Sequence, residues 1–224
     1  MPDQTAILDW RDGIPVSRGF ADPYYAREGG LDEARHVFLG GNGLPARFRS
    51  GFRIIELGFG TGLNFLVTLA AHRSAGASGP LAYTGFEAFP MAPADRARAL
   101  AAFPEVAAEA DELAAALASG PGPWTLPGGV TLALAVGDAR EALPAWEGLA
   151  DAAYLDGFAP ARNPEMWEAP LLAAVAGRLA PGGTLATYSA AGHVRRALAE
   201  AGLAVERRAG FGAKRHMTVA WKPA

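Results

Sequence analysis

The chain predicts an α/β fold built on a mainly parallel seven-stranded sheet with one antiparallel strand. Three observations carry this. From residue 53 onward, short apolar runs alternate with stretches of helical periodicity. The first run passes through a glycine-rich turn straight into a helix-like pattern. The last two runs, Leu203 to Arg208 and Met217 to Trp221, lie close enough to pair as a hairpin, which supplies the antiparallel member. A length of 224 residues with half of them apolar suits one α/β domain with a small appendage.

The elements follow in order. Residues 1–50 repeat no β/α unit and read as an N-terminal cap on a domain spanning residues 51–224. In the cap, Leu8 to Val16 reads as two short strands around Asp12-Gly13, and Leu31 to Leu39 as a short helix. Phe20, Tyr24 and Tyr25 either stack on a base or pack the cap onto the core. Arg53 to Leu57 is the first core strand, and Leu63 to Ala71 the helix after it. Leu81 to Glu87 and Val130 to Val136 are the next two strands, separated by alanine-rich helices that break at Pro104. Gly120-Pro121-Gly122-Pro123 and Pro127-Gly128-Gly129 read as loops. Ala152 to Leu155 is the fourth strand. A helix beginning near Pro170 runs to Leu179, Thr184 to Tyr188 is the fifth strand, and a helix carrying Val194 and Leu198 stops at Gly202.

The turn Glu56-Leu57-Gly58-Phe59-Gly60-Thr61-Gly62 is the chemical centre of this pattern. Alternate glycines permit positive φ and close backbone approach, and the following helix N-terminus offers free amides. Dinucleotide sites space their glycines as G-x-G-x-x-G, whereas here an acid at the strand end precedes G-x-G-x-G. A pyrophosphate needs only donors. An amino-acid ammonium needs acceptors, which Glu56 and the loop carbonyls supply, so the indicated ligand is S-adenosylmethionine. A solvated surface turn and a dinucleotide site are the alternatives.

Two further strand ends carry acids. Glu87 is suited to the two hydroxyls of a ribose, or else to capping the next helix, and Asp138 to an adenine amine, or else to capping the helix from Ala139. The loop Asp156-Gly157-Phe158-Ala159-Pro160 through Trp167 leaves the carboxyl end of a central strand, where open α/β sheets place their chemistry. Trp167 itself reads as packing.

Composition narrows the function. There is no cysteine, which excludes disulfide frameworks, thiolate metal sites and cysteine nucleophiles, and four scattered histidines show no metal-ligand spacing. The N-terminus Met1 to Thr5 lacks signal-peptide features and no run reaches membrane-spanning length, so a cytoplasmic protein without membrane contact is expected. A net charge of −3 does not advertise nucleic-acid binding. Yet Arg195, Arg196, Arg207, Arg208, Lys214 and Arg215 crowd the C-terminal end, as a phosphate-binding patch or a solvated face.

Across almost its whole length the chain resembles the methyltransferase domain of the bacterial tRNA wobble-uridine enzymes that make 5-methylaminomethyl-2-thiouridine. The resemblance rests on Asp22-Pro23-Tyr24-Tyr25, the glycine turn, Phe86-Glu87, the run Leu155 to Trp167, Thr187-Tyr188-Ser189-Ala190-Ala191-Gly192, and Gly210-Phe211-Gly212 with Lys214-Arg215. It implies a Rossmann-like class I S-adenosylmethionine-dependent methyltransferase that acts on the exocyclic amine of 5-aminomethyl-uridine in tRNA. The chain stops after its hairpin at Ala224, so a stand-alone enzyme is expected, one that relies on others to install the aminomethyl group.

The expected cofactor set is Glu56, Gly58, Phe59, Gly60, Gly62, Asn64, Glu87, Asp138, Ala139 and Asp156. Asp156, Phe158 and Asn163 are expected at the reaction, and Phe20, Tyr24, Tyr25, Arg195, Arg196, Lys214 and Arg215 on the substrate. No metal is expected. Asp156 matters because an alkyl amine is largely protonated near neutrality, so a carboxylate is wanted to orient it or take its proton. Alternatively Asp156 only organises its own loop. A small-molecule amine methyltransferase and a non-catalytic nucleotide-binding module are the other functions the sequence leaves open.

Overall fold

The computed structural model describes residues 5–77 and 79–224. Residues 1–4, which entered the signal-peptide reading, lie outside the described residues. No helix among those described is long and apolar enough to cross a membrane.

Strands β1 (Leu8–Arg11) and β2 (Ile14–Ser17) form the expected antiparallel hairpin. Asp12 and Gly13 both take positive φ, 50° and 82°, the requirement of a two-residue turn that matches strand twist. Helix α1 (Gly30–Ala34) continues into a π-helical turn, Arg35–Gly40. Leu31, Val37, Phe38 and Leu39 bury against the same core as the first sheet strands, so this segment is packed onto the sheet.

The sheet contains β3 (Phe52–Leu57), β4 (Leu81–Glu87), β5 (Trp124–Leu126), β6 (Val130–Val136), β7 (Ala150–Leu155), β8 (Leu179–Thr187), β9 (Ala204–Ala209) and β10 (His216–Trp221). Their spatial order is β5-β6-β4-β3-β7-β8-β10-β9. The expected seven strands are therefore eight. The addition, β5, lies antiparallel on β6 at the edge, and three residues between Gly-Pro pairs are too few to show any periodicity. Strand β10 runs antiparallel to β8 and β9 as expected. Strand β8 starts earlier than Thr184, taking in Pro181-Gly182-Gly183 where its register against β7 shifts.

Helices α2 (Leu63–Ser74), α3 (Pro93–Leu100) and α4 (Ala107–Ala118) accompany the first half, and α5 (Ala139–Ala145), α6 (Ala169–Arg178) and α7 (Gly192–Glu200) the second. Because successive strand residues face opposite sides, Phe52 and Ile54 enter the core that holds α2, while Ile55 and Leu57 enter the one that holds α6 and α7. The chain builds outward from β3 to β4 and β6, then returns to place β7 on the other side of β3. The crevice between the loops after β3 and β7 is thus the topological switch point.

Candidate active site

The glycine turn opens this crevice. Gly58, Gly60 and Gly62 take φ of 88°, 54° and 87°. A Cβ on Gly58 would lie 2.5 Å from the Asp156 carbonyl oxygen, so that glycine lets the two central loops touch. A Cβ on Gly60 would meet the Tyr24 ring at 3.2 Å. Gly62 caps α2, and the buried ring of Phe59 packs against Gly62 and Gly85. The Gly60 amide donates to Glu87 Oε2 at 2.8 Å, while Glu87 Oε1 accepts from the Phe89 amide at 2.8 Å. Burial raises the Glu87 carboxyl, opposed by those two amides.

Beneath the turn lies a buried polar network. Asn64 Nδ2 donates to Glu56 Oε1 and to Asp156 Oδ2, both at 2.7 Å. The Tyr83 hydroxyl donates to Glu56 Oε2 at 2.8 Å. Glu56, expected as an acceptor for the ligand, is fully buried and is not among the residues that line the cavity. Strand alternation explains this, because Glu56 shares its face with Phe52 and Ile54 and so points beneath α2. Burial holds its carboxyl well above the ordinary range, with the nearby Asp156 charge adding to the rise.

Asp156, unlike Glu56, lines the cavity. Burial pushes its carboxyl up to about 7, with the Asn64 amide and the Lys214 ammonium pulling down and Glu33 pushing further up. Among the described residues its carboxylate accepts no backbone amide. The loop is held by others: the Tyr188 hydroxyl donates to Gly157 O at 2.7 Å, Trp167 Nε1 to Phe158 O at 2.8 Å, and the Ala159 amide to Asp22 Oδ2 at 2.8 Å. The last bond ties the N-terminal segment to the Asp156 loop. Rings reinforce it, with Phe158 4.9 Å from Phe20 and 5.1 Å from Tyr24, centroid to centroid. Asn163 is buried against the cavity, and its side-chain amide has no partner among the described residues.

Glycine turn, Glu87, Asp156 loop and N-terminal aromatics together enclose a cavity of about 960 Å³ at the carboxyl ends of the central strands. That is room for a nucleoside-sized ligand and a second reactant. Among the described residues no three His, Asp or Glu side chains gather as a metal cage.

Other expected residues are placed differently. Asp138 lines the cavity, but its carboxylate caps α5 through the Arg140 amide at 2.8 Å and pairs with the Arg140 guanidinium at 2.6 Å, so the capping alternative is realised. Ala139 lines the cavity beside it. Tyr25 gives its hydroxyl to Ala99 O at 3.1 Å and packs on Phe103, which makes it a strut between cap and core. Lys214 is paired with Glu33 inside the cavity rather than displayed with the arginines. Arg195 and Arg196, on α7, and Arg215, in the final hairpin, lie outside the cavity. Sequence reasoning missed Asp22, Glu33 and Tyr188 as individual residues. Asp22 and Tyr188 stood inside quoted motifs, whereas Glu33 gives no local signal, since its partner lies at the other end of the chain.

A switch-point cavity with this glycine turn and strand-end acids defines a Rossmann-like S-adenosylmethionine-dependent methyltransferase. Residues 122–223 match a family described as S-adenosyl-L-methionine-dependent methyltransferase. The chain is 43% identical, over 99% of its length and 35% of the relative's, to the tRNA 5-methylaminomethyl-2-thiouridine biosynthesis bifunctional protein MnmC of Chromobacterium violaceum. The corresponding protein of Pseudomonas aeruginosa is 47% identical over 96% of this chain and 34% of its own. The chain belongs to the methyltransferase family of these proteins, and it spans about a third of their length. Among solved structures, MNMC2 from Aquifex aeolicus aligns with all of this chain and 74% of its own at TM-score 0.76 and 23% identity. The N-methyltransferase NodS from Bradyrhizobium japonicum, in complex with S-adenosylhomocysteine, gives TM-score 0.51 and 16% identity over 92% of this chain and 96% of its own. These two likenesses show the fold.

Proposed function

We propose that this chain methylates the exocyclic amine of 5-aminomethyl-(2-thio)uridine at the wobble position of tRNA. The observation that carries the reading is Asp156, a carboxyl balanced near neutrality inside an aromatic-walled cavity beside the glycine turn. Its supports are the family relationship and the nature of the donor set. When bound, S-adenosylmethionine supplies a methyl group on a cationic sulfur, open to attack by a nitrogen lone pair. The glycine turn, where the backbone can approach a ligand closely, and the carboxylate of Glu87 are proposed to hold its amino-acid and ribose ends. Ala139 and the capped Asp138 are proposed to border the adenine.

Asp156 then acts on the other reactant. A carboxyl at about 7 is ionised in half of the molecules at neutral pH, so it can accept a proton from the incoming ammonium and aim the freed lone pair. Asn163, with an unpaired amide, and Phe158 are proposed to orient the uracil, with Phe20 and Tyr24 as the stacking wall. Residues 5–50 are proposed to serve as a cap, clamped through Asp22. Arg195, Arg196 and Arg215 lie outside the cavity and are proposed to meet tRNA phosphates. In this reading the protein works in the cytoplasm, downstream of enzymes that install the aminomethyl group.

The test is labelled S-adenosylmethionine offered with bulk tRNA from cells lacking this enzyme and, separately, with a panel of small amines. Label in tRNA alone is the expected outcome. Label in the small amines alone would replace the reading with a small-molecule amine methyltransferase, the function that fits the net charge of −3. Label in neither would make the chain a binding module.

A further inference from the structure

Glu33, from α1, and Lys214, from the hairpin between β9 and β10, meet in the wall of the same cavity, Lys214 Nζ lying 2.7 Å from Glu33 Oε1. The Glu33 side chain is 12% exposed and that of Lys214 44%, so the carboxylate is sunk and the lysine enters from the solvent side. The same ammonium sits 4.1 Å from the centroid of the Tyr188 ring. That ring is fixed in turn, because its hydroxyl is committed to the Gly157 carbonyl next to Asp156. Glu33 Oε2 has no partner among the described residues.

A carboxylate and an aromatic face converging on one nitrogen make a site for a primary alkylammonium, through a charge-assisted hydrogen bond and a cation–π contact. Lys214 is itself such a group on a flexible four-carbon stem. The proposed substrate brings another into the same cavity, on a one-carbon stem. The electrostatics agree that this position and Asp156 are neighbours, since Asp156 responds to both Glu33 and Lys214.

We propose that Glu33 and the Tyr188 ring form the pocket for the acceptor's primary ammonium, and that Lys214 occupies it in the free protein and is displaced when the substrate enters. Glu33 thereby selects an amine-bearing nucleoside and presents it to Asp156, which takes the proton. Lys214 keeps the sunken carboxylate paired until then, and its half-exposed stem gives it a way out to solvent. This inference rests on the reading under Proposed function that the acceptor is an aminomethyl-uridine.

The experiment is equilibrium binding of two synthetic anticodon stem-loops, one carrying 5-aminomethyluridine at the wobble position and one carrying uridine. It uses the full chain and its Glu33→Gln, Glu33→Asp and Lys214→Met variants, with S-adenosylhomocysteine present so that no transfer occurs. The parent should favour the aminomethyl stem-loop by about tenfold or more, the scale of one hydrogen bond to a charged group. Glu33→Gln should erase that preference while leaving affinity for the uridine stem-loop and for S-adenosylhomocysteine unchanged, and Glu33→Asp should restore part of it. Lys214→Met should keep or enlarge the preference.

A preference that survives in Glu33→Gln overturns the proposal. So does its equal loss in Glu33→Gln and Lys214→Met, which would make the pair a structural tie. Weakening of both stem-loops alike in Lys214→Met would make Lys214 a phosphate contact and overturn its placeholder role. With S-adenosylmethionine supplied in place of S-adenosylhomocysteine as a parallel assay, a parent that methylates the aminomethyl stem-loop without binding it preferentially overturns the ammonium pocket alone. A parent that methylates neither stem-loop overturns the underlying reading, and the pocket with it.

Discussion

Replacing Asn64 by Ala removes the one amide that donates to both Glu56 and Asp156, each at 2.7 Å. A hydrogen bond to a charged group contributes about 1.5–3 kcal/mol, and one pKa unit corresponds to about 1.36 kcal/mol. The lost bond stabilised the ionised form of Asp156, so its carboxyl should rise from about 7 by roughly one to two units. At pH 7 the ionised fraction would fall from about a half to between roughly a tenth and a hundredth. Glu56 loses the same donor but keeps its bond from Tyr83. The assay is the pH profile of kcat/KM for methyl transfer, compared between parent and variant so that the ionisation of the amine itself, common to both, cancels. The acid limb should move upward by one to two units and the variant should approach the parent above it. An unmoved limb, with activity reduced by one factor at every pH, would refute the role given to Asp156 and leave Asn64 as a mere loop support.

Asp156→Asn should lower turnover by roughly a hundredfold at neutral pH, with partial relief as the amine loses its proton unaided at higher pH. It should also shift stability with a definite sign. The folded carboxyl titrates near 7 against an ordinary 3.8, so the parent loses stability as pH rises through that window, while Asn does not titrate. Melting curves at pH 4 and pH 8 should therefore show the variant gaining on the parent, and a constant gap would contradict the raised carboxyl. Gly60→Val, at φ 54° and against the Tyr24 ring, should abolish measurable S-adenosylmethionine binding by calorimetry and cost about 1–2 kcal/mol of stability. Unchanged affinity in a folded variant would remove the turn from the site. Reversing Arg195, Arg196 and Arg215 to Glu should weaken tRNA binding steeply and flatten its salt dependence without touching cofactor affinity; turnover of tRNA that survives intact would put the RNA elsewhere.

Much of this architecture was legible because buried parallel strands read as apolar runs and their ends are marked by glycine or an acid. Leu81 to Glu87 and Val130 to Val136 agree residue for residue with β4 and β6. Position along a strand is a local property, but the direction of a side chain at its end depends on what packs above it. Glu87 and Asp156 turn into the cavity, whereas Glu56, one residue before the end of β3, turns under α2 to meet Asn64 and Tyr83. Charge was legible only as a cluster. Lys214 left that cluster because a buried carboxylate on α1, distant in sequence, offered it a partner. Tyr25 and Asp138 show the same limit, each satisfied by a neighbour in the fold, Ala99 and Arg140.

The central claim is methyl transfer to one particular nitrogen, and one measurement addresses it directly. The purified chain is incubated at pH 8 with S-adenosylmethionine and an anticodon stem-loop carrying 5-aminomethyluridine at the wobble position, and the digested nucleosides are resolved by mass spectrometry. The account predicts a single added methyl on the aminomethyl nitrogen, absent when the wobble residue is plain uridine. Methyl on a ribose or a ring atom, or equal methylation of both stem-loops, would contradict it.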